Sequence, residues 1–434
     1  MLWLILVSIA LPTAGGDAGT MASVEAQAAT AVTQQTSIDS RHAAETGPLA
    51  QPRPLEQSGV PLDATRAAIP PDNPQTPEKI ALGQRLFFEP RLSADGTVAC
   101  STCHDPEKAF TDGKPVSIGI SGRVGQRNAP TILNALYNKT QFWDGRARTL
   151  EEQVAQPIVN PSEMGQASLD AATARIAAIA EYDQALRRVF VRAASGADLL
   201  RAIASYERTL ISFDSPFDHF IAGNANAIDA SATRGWELFN TSGRCNLCHA
   251  LTEKDRDVSN FTDHAFHNIG IGIIQHNVVA LARRAEELIN SNDRSAVDRA
   301  AIETDISALG RFLITKKEAD IASFKTPNLR NVLVTAPYFH DGSQLTLWDV
   351  VDHYNKGDGL QNPYLDEDIQ PLALTEGDID DLVAFLASLT SSDYKDQGVA
   401  ELARQRELSR SSRPQRDTAR AFGPKPPKPE PPIP

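Results

Sequence analysis

Residues 100–104 read Cys-Ser-Thr-Cys-His, and residues 245–249 read Cys-Asn-Leu-Cys-His. Together they use all four cysteines of the chain. C-x-x-C-H is the covalent attachment pattern of c-type haem, and each position has a task. The two thiols add across the vinyl groups, and the histidine beside the second thiol reaches the iron as axial ligand. Two other chemistries use paired cysteines. A zinc ribbon wants its pairs about 15–20 residues apart, whereas residues 104 to 244, 141 positions, lie between Cys103 and Cys245. A redox dithiol accounts for one pair but not for a histidine after both. The pattern therefore predicts two c-type haems, one on Cys100, Cys103 and His104 and one on Cys245, Cys248 and His249.

The approach to each motif repeats as well. Gly83-x-x-Leu86-Phe87 precedes the first and Gly235-x-x-Leu238-Phe239 the second. Each reads as a short helix with its Leu and Phe on an apolar face. Each half also closes on an amphipathic helix, ADLLRAIASYERTLISF at 197–213 and TEGDIDDLVAFLASLT at 375–390. Thr375 with Asp378 three residues on is a capping-box pattern. Strand-like runs are few. The expected fold is mostly α, with two cytochrome c-like haem domains in tandem over residues 71–225 and 226–395.

The ends of the chain read differently. Residues 2–14, LWLILVSIALPTA, form one apolar run too short to span a bilayer. With Ala26-Gln27-Ala28 as a cleavage site, residues 1–28 read as a signal peptide and predict export to the periplasm. No Lys or Arg precedes the run, so a misassigned start or an uncleaved anchor stand as alternatives. Residues 29–70 are rich in Ala, Gln, Thr and Pro and read as a disordered leader; residues 396–434 read as a proline-rich disordered tail. The chain has 434 residues and a formal net charge of −13, which argues against binding nucleic acid or anionic membrane by charge.

The motifs CSTCHDPEKAFTDG, RNAPTILNALYN, FWDGRARTLEEQVAQPIVNPSEMG, FHNIG, FKTPNLRNVLVTAPYFHDG and TLWDVVDHYN together resemble the bacterial dihaem cytochrome c peroxidase family, which includes MauG-type members. The resemblance runs from about residue 72 to 392. It implies an enzyme that reduces hydrogen peroxide at an N-terminal haem on His104, with a C-terminal haem on His249 for electron transfer. It also implies that Trp143 lies between the haems and that Glu163 is the distal acid. A calcium ion would be held by the Asn128 side chain and the Thr335 and Pro337 carbonyls. On sequence alone, each of these would more often be a core indole, a solvated carboxylate or a turn-capping amide.

Two positions depart from the common pattern of the family. Where many members carry a histidine that caps the resting peroxidatic iron, this chain has Ile120, which cannot ligate a metal. And where the second haem usually takes a methionine, the chain has Tyr354. Its methionines are Met1, Met21 and Met164, none in the C-terminal half. The stretch DVVDHYNKG, 349–357, also offers His353 as a rival, with His264, His267 and His340 further candidates. Adjacent helical side chains point about 100° apart, so one of the pair at most faces the iron.

MauG-type members share the tyrosine and lack the capping histidine. The expectation is a MauG-like peroxidase that shares oxidising equivalents between its haems and oxidises an organic or protein substrate. One alternative is a respiratory-type peroxidase fed by a small cytochrome or copper protein. Glu163 leans that way, since MauG carries an amide there. A non-enzymatic dihaem electron carrier is the other alternative.

Overall fold

The computed structural model describes residues 47–251, 259–273, 278–291, 305–357, 362 and 364–412. The expected signal peptide lies outside them. Helices dominate; among the described residues the single strand pairing is the antiparallel match of β1, Phe266–His267, with β2, Phe324–Lys325.

Each half is built round one close helix crossing. Helix Pro77–Phe87 packs on helix Gly196–Glu207, and helix Ala230–Asn240 packs on helix Glu376–Ser388. The repeated glycines explain the closeness. A Cβ at Gly83 would run into the Ala202 carbonyl, and one at Gly235 into the Asp381 carbonyl. Leu86 and Phe87 are fully buried in the first core, and Phe239 in the second. The capping box forms: the Thr375 amide donates to Asp378 Oδ2 at 2.8 Å, and the Asp378 amide to Thr375 Oγ1 at 3.2 Å.

A second repeat lies between these helices. Phe142 and Phe339, 197 positions apart (339 − 142), both have φ of 67°. Each sits in a small loop closed by a β-bridge, Gln141 with Ala147 and Tyr338 with Gln344. Helices Leu150–Val159 and Leu347–Lys356 follow at the same offset, each capped by a threonine, Thr149 or Thr346. Asn134 and Asn331 also correspond, each left-handed. The Asn134 side chain bridges the Ser212 amide and carbonyl, and Asn331 Oδ1 accepts from the Ser391 amide. The Ser212 and Ser391 hydroxyls meet at 2.7 Å, where the halves join.

Two expectations about the ends need correction. Residues 47–70 were expected to be disordered, yet Ala50 is fully buried and its carbonyl accepts from the Tyr206 hydroxyl at 2.9 Å. Arg53 donates to Asp393 at 2.9 Å and so ties this segment to the other half. Residues 396–412, expected as tail, belong to helix Lys395–Ser412. That helix docks through buried Gln405, whose amide donates to the Leu333 carbonyl and Tyr338 hydroxyl and accepts from the Leu347 amide. The polar docking residue is why no apolar stripe announced it. A third, smaller core around Ile306, Leu309 and Phe312 packs between β1 and β2 in the chain.

Glu207, at the end of the first half's closing helix, is buried, and its Oε2 has no hydrogen-bond partner among the described residues. Burial pushes its pKa up to about 8; Arg208 pulls the other way and Glu151 adds to the rise. A carboxyl raised on folding holds its proton longer in the native state. The stability it contributes is full below about pH 4.3 and is lost as pH climbs through the folded value. Thermal melts of the holoprotein between pH 5 and 8 should lose midpoint with rising pH, and Glu207→Gln should remove much of that slope.

Candidate functional site: a cavity shared by both cysteine motifs

A cavity of about 390 Å³ runs between the halves. Cys103 and His104 line it from one side, Cys245, Cys248 and His249 from the other, and Trp143, Glu163 and Tyr354 face it between them. Cys100 packs against the first core behind this wall.

The two histidines are prepared alike. His104 Nδ1 is 3.0 Å from the Phe110 carbonyl, and His249 Nδ1 is 2.6 Å from that of Phe261. A carbonyl accepts only, so Nδ1 carries the hydrogen and Nε2 keeps its lone pair, the arrangement second-shell groups impose on metal-ligating histidines. Burial lowers both pKa values, that of His249 to about 4. Both rings are neutral donors at neutral pH. Thiols, oriented imidazoles and a largely apolar cavity make a donor set that fits two covalently attached haems.

Glu163 is half-buried, and its Oε1 accepts from Asn160 Nδ2 at 2.7 Å. Burial raises its pKa, against the opposing charge of Arg146 and the Asn160 hydrogen bond. Its loop is pinned by Ile120, whose amide donates to the Glu163 carbonyl at 2.9 Å. The Ile120 side chain is buried and fills the space above Gly165, which has φ of 66° and no room for a Cβ.

Trp143 is held from three sides. Its indole N–H donates to the Asn128 carbonyl at 3.0 Å, its own carbonyl accepts from the Lys325 amide at 2.7 Å, and its ring meets His340 edge-on at 6.4 Å. The next residue, Asp144, is fully buried between Arg127 at 2.6 Å and Arg146 at 3.0 Å. Burial alone would raise its pKa, but the two guanidiniums outweigh it and hold Asp144 at about 2. Arg311 from the C-terminal half donates to the Asp144 and Gly145 carbonyls, both at 2.9 Å.

The pair His353–Tyr354 divides cleanly. Tyr354 lines the cavity together with Cys245 and Cys248, and no hydrogen bond holds its hydroxyl among the described residues. Burial raises its pKa. His353 Nε2 instead donates to the Ile269 carbonyl at 2.8 Å. His267 and His340 also line the cavity, His267 held between Asp263 and Asp366 close to Cys248, and His340 stacked on Phe324 at 3.5 Å, whereas His264 is not among the lining residues. At the 197-residue offset, the counterpart of Tyr354 is Pro157 (354 − 197), which also lines the cavity. Proline offers no ligating side chain.

Asn128, Thr335 and Pro337 share the wall. Asn128 Nδ2 donates to the Lys114 carbonyl at 2.8 Å, which leaves its amide oxygen as the acceptor. Neither the Thr335 nor the Pro337 carbonyl accepts a hydrogen bond among the described residues. These three oxygens suit a hard cation such as calcium.

Residues 77–226 match the family model for di-haem cytochrome c peroxidase. Methylamine utilization protein MauG of Methylorubrum extorquens is 35% identical over 322 residues, 74% of this chain and 80% of that protein. The chain belongs to the di-haem cytochrome c peroxidase family. Cytochrome c peroxidase Ccp of Escherichia coli is 36% identical over 321 residues, 74% of this chain and 60% of its own, longer length. A solved MauG-like protein associated with microbial copper homeostasis matches with 32% identity and a TM-score of 0.61, covering 75% of this chain and 92% of its own. As a di-haem cytochrome c peroxidase the chain is an oxidoreductase acting on peroxide, and the family implies two c-type haems. Relatives of both kinds, MauG and cytochrome c peroxidase, stand at similar identity.

Sequence reasoning missed three residues of this site. Arg146 and Arg127, which charge the Trp143 loop, lie inside motifs already quoted. Lys325, in FKTPNLRN, is buried on the cavity wall. The readable signal was the correspondence of QFWDGRA with YFHDGSQ, which sets Trp143 opposite His340 and Pro157 opposite Tyr354.

Proposed function

We propose that this di-haem peroxidase is of the MauG type. Hydrogen peroxide reacts on the Cys100–His104 side at an open position, and the oxidising equivalents are shared with a Tyr354-ligated haem on the Cys245–His249 side. They then leave to oxidise an organic or protein substrate. The observation that carries this reading is the repeat-related pair Pro157 and Tyr354, a residue without donor atoms in one half and a phenol in the other. Ile120, locked in the core, offers nothing to cap the first site.

Bound haem supplies O–O bond cleavage and the storage of electrons. The chain supplies the rest. With Oε1 held by Asn160, Glu163 has Oε2 to take the proton from one peroxide oxygen and return it to the other, which departs as water. Its raised pKa moves it toward the working pH that such a relay needs. Trp143, fixed between the halves, is the group that couples them. Tyr354 would hold the haem of the Cys245–His249 side through its phenol oxygen, and such a hard anionic donor would favour the higher oxidation state of iron and lower its potential.

In this reading residues 71–225 and 226–395 are two cytochrome c-like haem domains, Asn128, Thr335 and Pro337 hold a calcium ion, and the chain works in the periplasm. No described helix is long and apolar enough to cross a membrane.

The respiratory-type alternative, in which electrons come from a small cytochrome or copper protein, is favoured by one residue, the carboxylate Glu163. Steady-state peroxide consumption with a reduced small cytochrome or copper protein separates the two. The MauG-type reading expects slow turnover with either donor and retention of the oxidised protein after peroxide. Rapid turnover with such a donor contradicts it.

A further inference from the structure

The segment Phe324–Leu329 forms one wall of the cavity. Lys325 in it is only 9% exposed, yet among the described residues its ammonium reaches a single acceptor, the Thr326 carbonyl, at 3.5 Å. An ammonium has three hydrogens to donate, and a buried one costs several kcal/mol unless an anion meets it. Asp263 is the nearest carboxylate to act on it. But Asp263 is already engaged, Oδ1 by the Ala265 amide at 2.8 Å and Oδ2 by His267 at 2.9 Å. Asn328, on the same wall, is in the same condition. Its Oδ1 accepts from the Arg330 amide at 2.7 Å, while its buried Nδ2 has no acceptor among the described residues.

This wall therefore has donors in excess and faces an apolar cavity. What balances a cation and an amide N–H is one anion with two acceptor oxygens. We propose that Lys325 and Asn328 form a carboxylate subsite that takes a propionate of the haem held by Cys245, Cys248 and His249. The second haem is singled out by contact: Lys325 pairs with Phe266, and the Thr326 carbonyl accepts from Thr262 Oγ1 at 2.8 Å, next to Phe261, whose carbonyl holds the His249 ring. The same residue holds the Trp143 carbonyl through its amide. Lys325 thus ties the haem edge to the indole loop.

The inference rests on the reading that Cys245–His249 carries a haem, and that reading is tested apart from it. Pyridine haemochrome should count two haems per chain, and one after Cys245→Ala with Cys248→Ala. With two haems bound, spectroelectrochemical titration of the holoprotein should show Lys325→Gln lowering the midpoint of the second haem. A cation beside the haem carboxylate favours the added electron, and glutamine keeps a donor but not the charge. Lys325→Arg should keep the midpoint near that of the parent, and Asn328→Leu should lower it by less than Lys325→Gln. An unchanged second midpoint in both the Gln and Leu variants overturns the subsite, as does an equal shift of both haems or a shift of the first alone. If Lys325→Gln fails to fold with both haems, the Asn328→Leu titration decides on its own.

Discussion

Glu163→Gln should slow peroxide cleavage by about 10²–10⁴-fold, the range for loss of a positioned proton-transfer group. The amide keeps the size of the side chain and an oxygen for Asn160, which now donates to Glu163 Oε1 at 2.7 Å. The loop stays pinned by the Ile120 amide. What the substitution removes is the atom that exchanges a proton. The carboxyl's raised pKa has burial as its chief cause, with Arg146 and Asn160 opposing. The rate should therefore carry an ionisation above the ordinary carboxylate range that disappears in the variant. Stopped-flow absorbance with peroxide measures both. An unchanged rate would assign the proton to water or to another group. A rate loss accompanied by an altered haem spectrum and a lower melting temperature would make Glu163 a shaper of the loop.

Tyr354→Met should raise the potential of the second haem by hundreds of millivolts, because exchanging a hard anionic oxygen for a soft thioether stabilises ferrous iron. It should also end that haem's capacity to hold an oxidising equivalent. His353→Ala should leave its low-spin spectrum intact, since that ring is spent on the Ile269 carbonyl. Redox titration and absorption spectra of the two variants distinguish them. A high-spin second haem in His353→Ala with no effect from Tyr354→Met would reverse the ligand assignment.

Much of this arrangement was legible residue by residue. The two C-x-x-C-H motifs name both sides of the cavity, and the repeated Gly83 and Gly235 mark helix crossings that admit no side chain. The question posed by His353 and Tyr354 has a geometric answer that helical spacing limits to one of the two but does not choose. The choice comes from the Ile269 carbonyl, contributed by a segment 84 residues away. Lys325 was illegible for a similar reason. A lysine in sequence reads as solvated, and only the tertiary cavity turns it into a buried charge. Helix Lys395–Ser412 was missed because it docks by the polar Gln405, a contact that periodicity cannot report.

On the proposed reading the first site is open without prior reduction, because Ile120, at the position of the family's capping histidine, is packed in the core, and Pro157 corresponds to Tyr354. Rapid mixing of the fully oxidised holoprotein with hydrogen peroxide, in the absence of any reductant, tests it most directly. The Soret band should change immediately. A band that stays unchanged until one electron has been added would contradict it.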